Sequence, residues 1–159
     1  MQEKEAEIAI FDKSGKVVSS KSRKDVNKEN DLLGTVNILL TNKKEEIFTI
    51  LAHDSIWEGK IGGSCAGLIR INETPIEASN RTLERELGIK VSLKQVHSGY
   101  HDFEGVKRWF YVFHGETEEV NPNNKDIIES KWITKKEVNN LIFQNKVMPT
   151  FKIAYENLK

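Results

Sequence analysis

The sequence predicts an α+β fold built on a mixed β-sheet. Three observations carry that expectation. Short apolar runs are parted by turn signals, as strands are. Two Thr-x-x-Glu capping boxes each open a helical stretch. Strands and helices do not alternate with the regularity of βαβ units, which argues against a purely parallel sheet.

Each element follows in chain order. Residues 6–12 alternate apolar and polar, and 16–22 do so less cleanly. Lys13-Ser14-Gly15 between them is a turn signal, so the pair reads as an N-terminal hairpin. Residues 23–32 are charged and read as a loop. Val36–Leu40 and Ile47–Leu51 are apolar runs parted by a polar stretch, which suggests paired strands. Ala66–Ile71 is a short strand candidate. Thr74 and Glu77 then form a capping box, Pro75 suits the first helical position, and Gly88 supplies a stop, so the spacing predicts a helix over 75–87. Val91–Val96, Trp109–Phe113 and Ile127–Ile133 read as strands. Thr134 and Glu137 open a second helix, and residues 149–158 form a last one, with Phe151, Ala154 and Leu158 at helical spacing.

Bulk properties narrow the function classes. A chain of 159 residues suits one domain over 1–159, with residues 1–31 as the hairpin and its loop. Lys plus Arg and Asp plus Glu are 24 each, so no general electrostatic pull toward nucleic acid or anionic membrane exists. The basic run Lys21–Lys24, which includes Arg23, reads as a solvated loop. Cys65 is the only cysteine, so no intrachain disulfide forms. Neither a signal-peptide pattern nor an apolar run near the roughly 18 residues of a membrane span is visible. The expectation is a cytoplasmic protein that acts on neither membranes nor nucleic acid.

The predicted helix separates its residues by face. At about 100° per residue, Ile76, Leu83 and Leu87 share a stripe expected to meet the core. Thr82, Arg85 and Glu86 share another face, and Glu77 and Glu84 point to a third. Among the helix carboxylates, only Glu86 therefore shares a face with Thr82 and Arg85.

The segment GLIRINETPIEASNRTLERELGI, residues 67–89, resembles the Nudix box, G-x5-E-x7-R-E-U-x-E-E-x-G-U with U aliphatic. Gly67, Glu73, Arg81, Leu83, Glu86, Gly88 and Ile89 occupy matching positions. Thr82 and Arg85 stand where the family has glutamates. The resemblance implies an α/β/α sandwich and hydrolysis of a diphosphate linkage in a nucleoside diphosphate derivative, dependent on Mg²⁺ or Mn²⁺. It implies that Glu86 holds metal, with help from the Gly67 carbonyl. It also implies that Gly67, Glu73, Arg81 and Gly88 shape the box. A small-molecule diphosphate is then the expected partner, and homodimers are common in the family.

The two substitutions leave alternatives open. Arg85 can clamp a diphosphate through bidentate contacts, or it can merely pair with Glu86 on the surface. A binding module that has lost catalysis, acting as a ligand sensor or protein-interaction surface, is the alternative to a weak hydrolase. The hairpin and the non-acidic box also resemble the branch of isopentenyl diphosphate isomerase and its hydrolase relatives. That isomerase places a cysteine immediately before the first box glycine and a metal-binding histidine after it. Here those positions hold Ala66 and Leu68, and Cys65 should point to the opposite face, as a small core residue. Candidate bases outside the helix are Asp102, Glu104 and Glu129, with His97 and His101 near the first two, and the resemblance favours Glu104 and Glu129. Arg70, Lys107 and Arg108 could bind phosphate or simply keep a strand edge soluble. Trp57, Tyr100 and Trp109 could stack on a base or pack in the core.

Overall fold

The structure is a computed structural model that describes residues 6–53, 56–123, 127 and 129–158. Its strands are β1 (Glu7–Phe11), β2 (Val17–Ser22), β3 (Leu32–Thr41), β4 (Ile47–Leu51), β5 (Ile61–Gly62), β6 (Cys65–Leu68), β7 (Lys94–Phe103), β8 (Val106–Glu116) and β9 (Ser130–Ile133). Its helices are α1 (Pro75–Leu87), α2 (Lys135–Phe143) and α3 (Pro149–Glu156), with a 3₁₀ turn at Arg23–Asp25. The strands form one mixed sheet, as expected.

β3 organises that sheet. One of its edges runs parallel to β8 from Leu33↔Arg108 to Thr41↔Glu116. Its other edge serves three antiparallel partners in turn. β1 takes Leu32 and Leu33, β6 takes Thr35 to Ile38, and β4 takes only Thr41. The expected β3–β4 pair is therefore a fork that splays after one residue pair. The buried Ser64 hydroxyl holds the fork. It accepts the Leu40 N–H at 2.9 Å and donates to the Phe48 carbonyl at 2.8 Å.

Alternation along β3 divides the core. Val36, Ile38 and Leu40 are fully buried in a cluster with Ala78, Leu83 and Leu87 of α1. Leu39 faces the other way, into a cluster with Phe110, Val112, Val138 of α2 and Phe151 of α3. Helices thus cover both faces, which is the α/β/α sandwich. Both capping boxes form, with Thr74 and Thr134 each accepting from the N–H of the glutamate three residues on. Such a cap contributes about 1 kcal/mol. Gly88 ends α1 in the left-handed region, at φ 62°, where a side chain would be strained.

Two expectations, on Ile76 and on the strand at 91–96, needed correction. Ile76 is not a core residue, because it is 37% exposed, and Ala78, Ser79 and Thr82 are buried alongside Leu83 and Leu87. Thr82, on the side of α1 shared with Arg85 by spacing, is covered by β6. It is fully buried against Gly67, where any Cβ would overlap its side chain. The strand expected at Val91–Val96 begins only at Lys94, where pairing with His114 starts, while Val91 and Leu93 pack on the α1-side core. Composition had not signalled β5. Within the strand expected at 127–133, Ile128 lies outside the described residues.

α1 is tied to the strand and loop before it by Arg81. Its Nε donates to Glu73 Oε2 at 2.7 Å, and its Nη2 donates to Glu73 Oε1 at 3.0 Å and to the Leu68 carbonyl at 2.9 Å. Glu73 also accepts the Arg70 N–H at 3.0 Å, across a turn in which Asn72 sits at φ 63°. Burial would push the Glu73 carboxyl up, but the Arg81 and Arg70 hydrogen bonds outweigh it and hold the pKa below the ordinary range.

Gly67→Ala should destabilise the fold by about 1–3 kcal/mol through overpacking, and adding Thr82→Ala should recover at least half of that loss in urea unfolding. Glu73 has a folded-state pKa below its unfolded one. Its contribution is therefore complete at neutral pH and is lost as pH falls through the folded value. Glu73→Gln should cost about 2 kcal/mol at pH 7 and flatten the loss of stability on acidification. Parallel acid limbs for the two proteins would show that this charge contributes nothing.

Candidate functional site

The fork between β3–β6 and β4–β5 opens into a pocket of about 350 Å³. That is near the lower end for small-molecule sites. Thr35 and Asn37 of β3, with Ala66 and Leu68 paired beside them on β6, line one side. Ile50, Trp57, Val106 and Met148 add apolar wall. Four guanidinium-bearing residues border the same space: Arg23, Arg81, Arg85 and Arg108. They come from the 3₁₀ turn, α1 and β8, so only the folded sheet brings them together.

These charges are not equivalent. Arg81 is committed to Glu73 and Leu68. Arg85 is 46% exposed along its side chain, and its Nη2 lies 3.3 Å from Glu86 Oε1. Arg108 donates from Nη1 to the Lys107 carbonyl at 2.8 Å, and burial lowers its pKa. Arg23 is exposed. Lys21, its neighbour in the basic run, pairs with Asp31 at 2.8 Å. That run was read as a solvated loop, and it instead delivers one cation to the pocket.

Glu86 is the box carboxylate that pairs with Arg85. Its side chain is 17% exposed. Together with Arg85 its charge reaches the Cys65 thiol on β6. The carbonyl oxygens at the C-terminus of α1 are satisfied from outside the helix, since Asn121 N–H donates to Leu87 and Asn123 N–H to Glu86, both at 2.8 Å. Cys65 is 2% exposed, and burial pushes its thiol well up, so it is a core residue with an inert sulfur. Ala66 takes the opposite face, as strand alternation requires.

The remaining candidates lie elsewhere. Glu104 is at the β7–β8 turn, at φ 56°, and accepts the Trp57 indole N–H at 3.1 Å. Trp57 borders the pocket, so Glu104 meets the site through that ring. Asp102 accepts the Gly105 N–H within the same turn. His97 and His101 place ring nitrogens 2.8 Å apart, and burial first, then His97, lowers the His101 pKa. Arg70 sits behind the box, where burial and Arg81 lower its pKa. Glu129 serves β4 through its backbone carbonyl. Trp109 packs against the α1-side core, and Tyr100 lies under Lys13 Nζ, 6.0 Å from the ring centre.

The donor set bears on metal. Among the described residues no three of His, Cys, Asp and Glu group closely enough to hold an ion. The box keeps the Glu86 carboxylate but has Thr82 and Arg85 at two family glutamate positions, so its carboxylate donors are few. They do not fit a cluster of ions. Thr82, at a box position that carries glutamate in the family, turns a buried hydroxyl without a hydrogen-bond partner toward Gly67.

Sequence reasoning missed Arg23, Thr35 and Asn37. Asn37 had left a signal, an amide inside the apolar run VNILL. No helix among the described residues is long and apolar enough to cross a membrane.

Comparisons with known proteins place this geometry. No curated protein sequence matches the chain. The crystal structure of DR0079 from Deinococcus radiodurans superposes with a TM-score of 0.81 at 17% identity, covering 96% of this chain and 99% of that one. A NUDIX-family hydrolase from Clostridium perfringens gives 0.59 at 19% identity, over 80% and 96%. The NUDIX domain of Shewanella oneidensis NrtR, crystallised with ADP ribose, gives 0.63 at 10% identity, over 85% and 90%. At these identities the likeness is one of fold. Residues 31–151, which include the whole strand–loop–helix segment around Arg81, match the NUDIX domain itself, and the chain belongs to that family.

Proposed function

We propose that this chain hydrolyses a diphosphate linkage in a nucleoside diphosphate derivative, slowly, with one divalent ion held at Glu86 and Gly67. The observation that carries the reading is the meeting of Arg85 and Arg108 in one 350 Å³ pocket beside the Glu86 carboxylate. Guanidinium groups bind phosphate oxygens in pairs of parallel hydrogen bonds, and burial strengthens that contact. Arg85 and Arg108 hold the diphosphate from two elements, and Arg23 adds charge at the rim. A divalent ion at Glu86 would supply Lewis-acid neutralisation of phosphate charge. Hydrolysis breaks one P–O–P bond and adds water across it. Thr82 and Arg85 cannot take the water proton, so turnover is slow. Family membership and the ADP ribose bound to the NrtR domain support a nucleoside diphosphate ligand. Glu104 enters as a positioning residue, through its hydrogen bond to Trp57.

One observation favours a second reading, in which the pocket binds and does not cleave. Arg85, which borders the pocket, pairs with the Glu86 carboxylate, 3.3 Å away. A guanidinium there substitutes for metal charge in binding but activates no water.

Calorimetric titration of Mg²⁺ and Mn²⁺, with and without a non-hydrolysable dinucleotide diphosphate, separates the two. Under the hydrolase reading, metal binds only with ligand, and Glu86→Gln loses that co-binding together with phosphate-ester release across a diphosphate panel. Arg85→Ala should weaken ligand about 10-fold or more. Ligand bound without metal, unaffected by Glu86→Gln and never cleaved, would sink the hydrolase and leave the binding module.

A further inference from the structure

The two polar side chains that β3 turns into the pocket make no side-chain hydrogen bond among the described residues. Asn37 is 8% exposed and lines the pocket, and none of its amide hydrogen-bonding groups meets another described residue. Thr35 Oγ1, two residues back on the same face, is buried and likewise unsatisfied. A buried hydroxyl such as that of Thr35 is nearly always hydrogen-bonded, and leaving it unpaired opposes folding. An aliphatic side chain would suit both positions better if packing were the only demand, since Phe110 and Val112 pair beside them on β8. The groups are therefore spared for something that enters the pocket.

The surroundings define its chemistry. Ala66, the cross-strand neighbour of Asn37, leaves room above the amide. Ile50, Val106, Met148 and the Trp57 ring give apolar walls. The indole is oriented by its hydrogen bond to Glu104. The guanidinium groups lie around the same cavity. A ligand that fits has a flat apolar ring with a donor and an acceptor side by side on its edge, attached to an anionic tail. A carboxamide presents the complementary donor and acceptor in one plane, the pairing by which Asn reads a base edge.

We propose that Asn37, assisted by Thr35, is the nucleobase-reading element of this pocket, so that its ligand is recognised through the base as well as through the phosphates. The inference rests on the diphosphate reading for the phosphate end alone. Because the amide can present either face, it reads the presence of a base edge rather than one base. Replacing it by a carboxylate leaves two acceptors, which only guanine, with its neighbouring N1–H and N2–H donors, satisfies.

The test uses the full chain and simple probes: inorganic diphosphate, the nucleosides adenosine, cytidine, uridine and guanosine, and their diphosphates. Wild type should bind every nucleoside diphosphate more tightly than inorganic diphosphate. Asn37→Leu should weaken the nucleosides and their diphosphates about 10-fold or more and leave inorganic diphosphate unchanged. Its Tm should not fall, because no protein hydrogen bond is lost. Asn37→Asp should shift preference toward GDP over ADP, CDP and UDP. Thr35→Val should act as Asn37→Leu does, more weakly. The proposal is overturned if Asn37→Leu binds nucleosides as wild type does, if it lowers Tm and weakens both probe classes equally, or if wild type binds no nucleoside or nucleoside diphosphate. Failure of inorganic diphosphate alone to bind would count against the phosphate-end reading and leave the nucleoside arm decisive.

Discussion

β3 has one edge to offer three partners, and the pocket exists because of how that edge is shared. β1, β6 and β4 each take a segment of it, and β4 keeps only the pair Thr41↔Ile47. A strand that leaves its neighbour so early would strand backbone donors in the interior. Ser64 prevents this by accepting the Leu40 N–H while donating to Phe48 across the fork. One hydroxyl thus lets the sheet open without an unpaired amide. The opening is the cavity that Asn37, Trp57 and the arginines share.

A second constraint seats α1 on the sheet. Gly67 has no Cβ, so β6 descends onto Thr82, and Arg81 then ties the helix to Glu73 and to the Leu68 carbonyl. These contacts orient the turn that carries Arg85 and Glu86. The box therefore works as a mechanical unit even though two of its carboxylate positions carry other side chains. Its geometry depends on Gly67, Glu73, Arg81 and Gly88, and all four keep the family pattern. What has changed is the charge it presents. Arg85, Arg108 and Arg23 border one pocket, and Thr82 and Arg85 hold two of the box positions that carry glutamate in the family.

The helices were legible because their signals are local. Thr74, Pro75 and Gly88 act on backbone groups within one turn, and the helix runs over Pro75–Leu87 as their spacing predicts. Strand identity was legible where apolar residues ran together, as at Ile47–Leu51. Strand extent was not, since β7 begins where His114 offers a partner rather than where hydrophobicity begins. The helical wheel misassigned Ile76, and was silent on the burial of Thr82, for a similar reason. It reports which residues share a side of the helix, and the neighbour that a side meets depends on where β6 is free of side chains.

By itself the sequence determined the mixed-sheet α+β class, the capped helices and the Nudix-like box with Thr82 and Arg85 at two glutamate positions, because each is written in residue type at short spacing, and the sandwich followed from the resemblance of that box. Tertiary structure alone decided which cations surround the pocket and which polar groups stand unpaired inside it. Arg23, Arg85 and Arg108 come from a turn, a helix and a strand far apart in the chain, and their convergence depends on the shared edge of β3. Asn37 is unpaired because β6 and β8 satisfy the backbone on both sides of it and offer its amide nothing. Periodicity cannot reveal that, since a pattern of residues records what each side chain is and not what it meets.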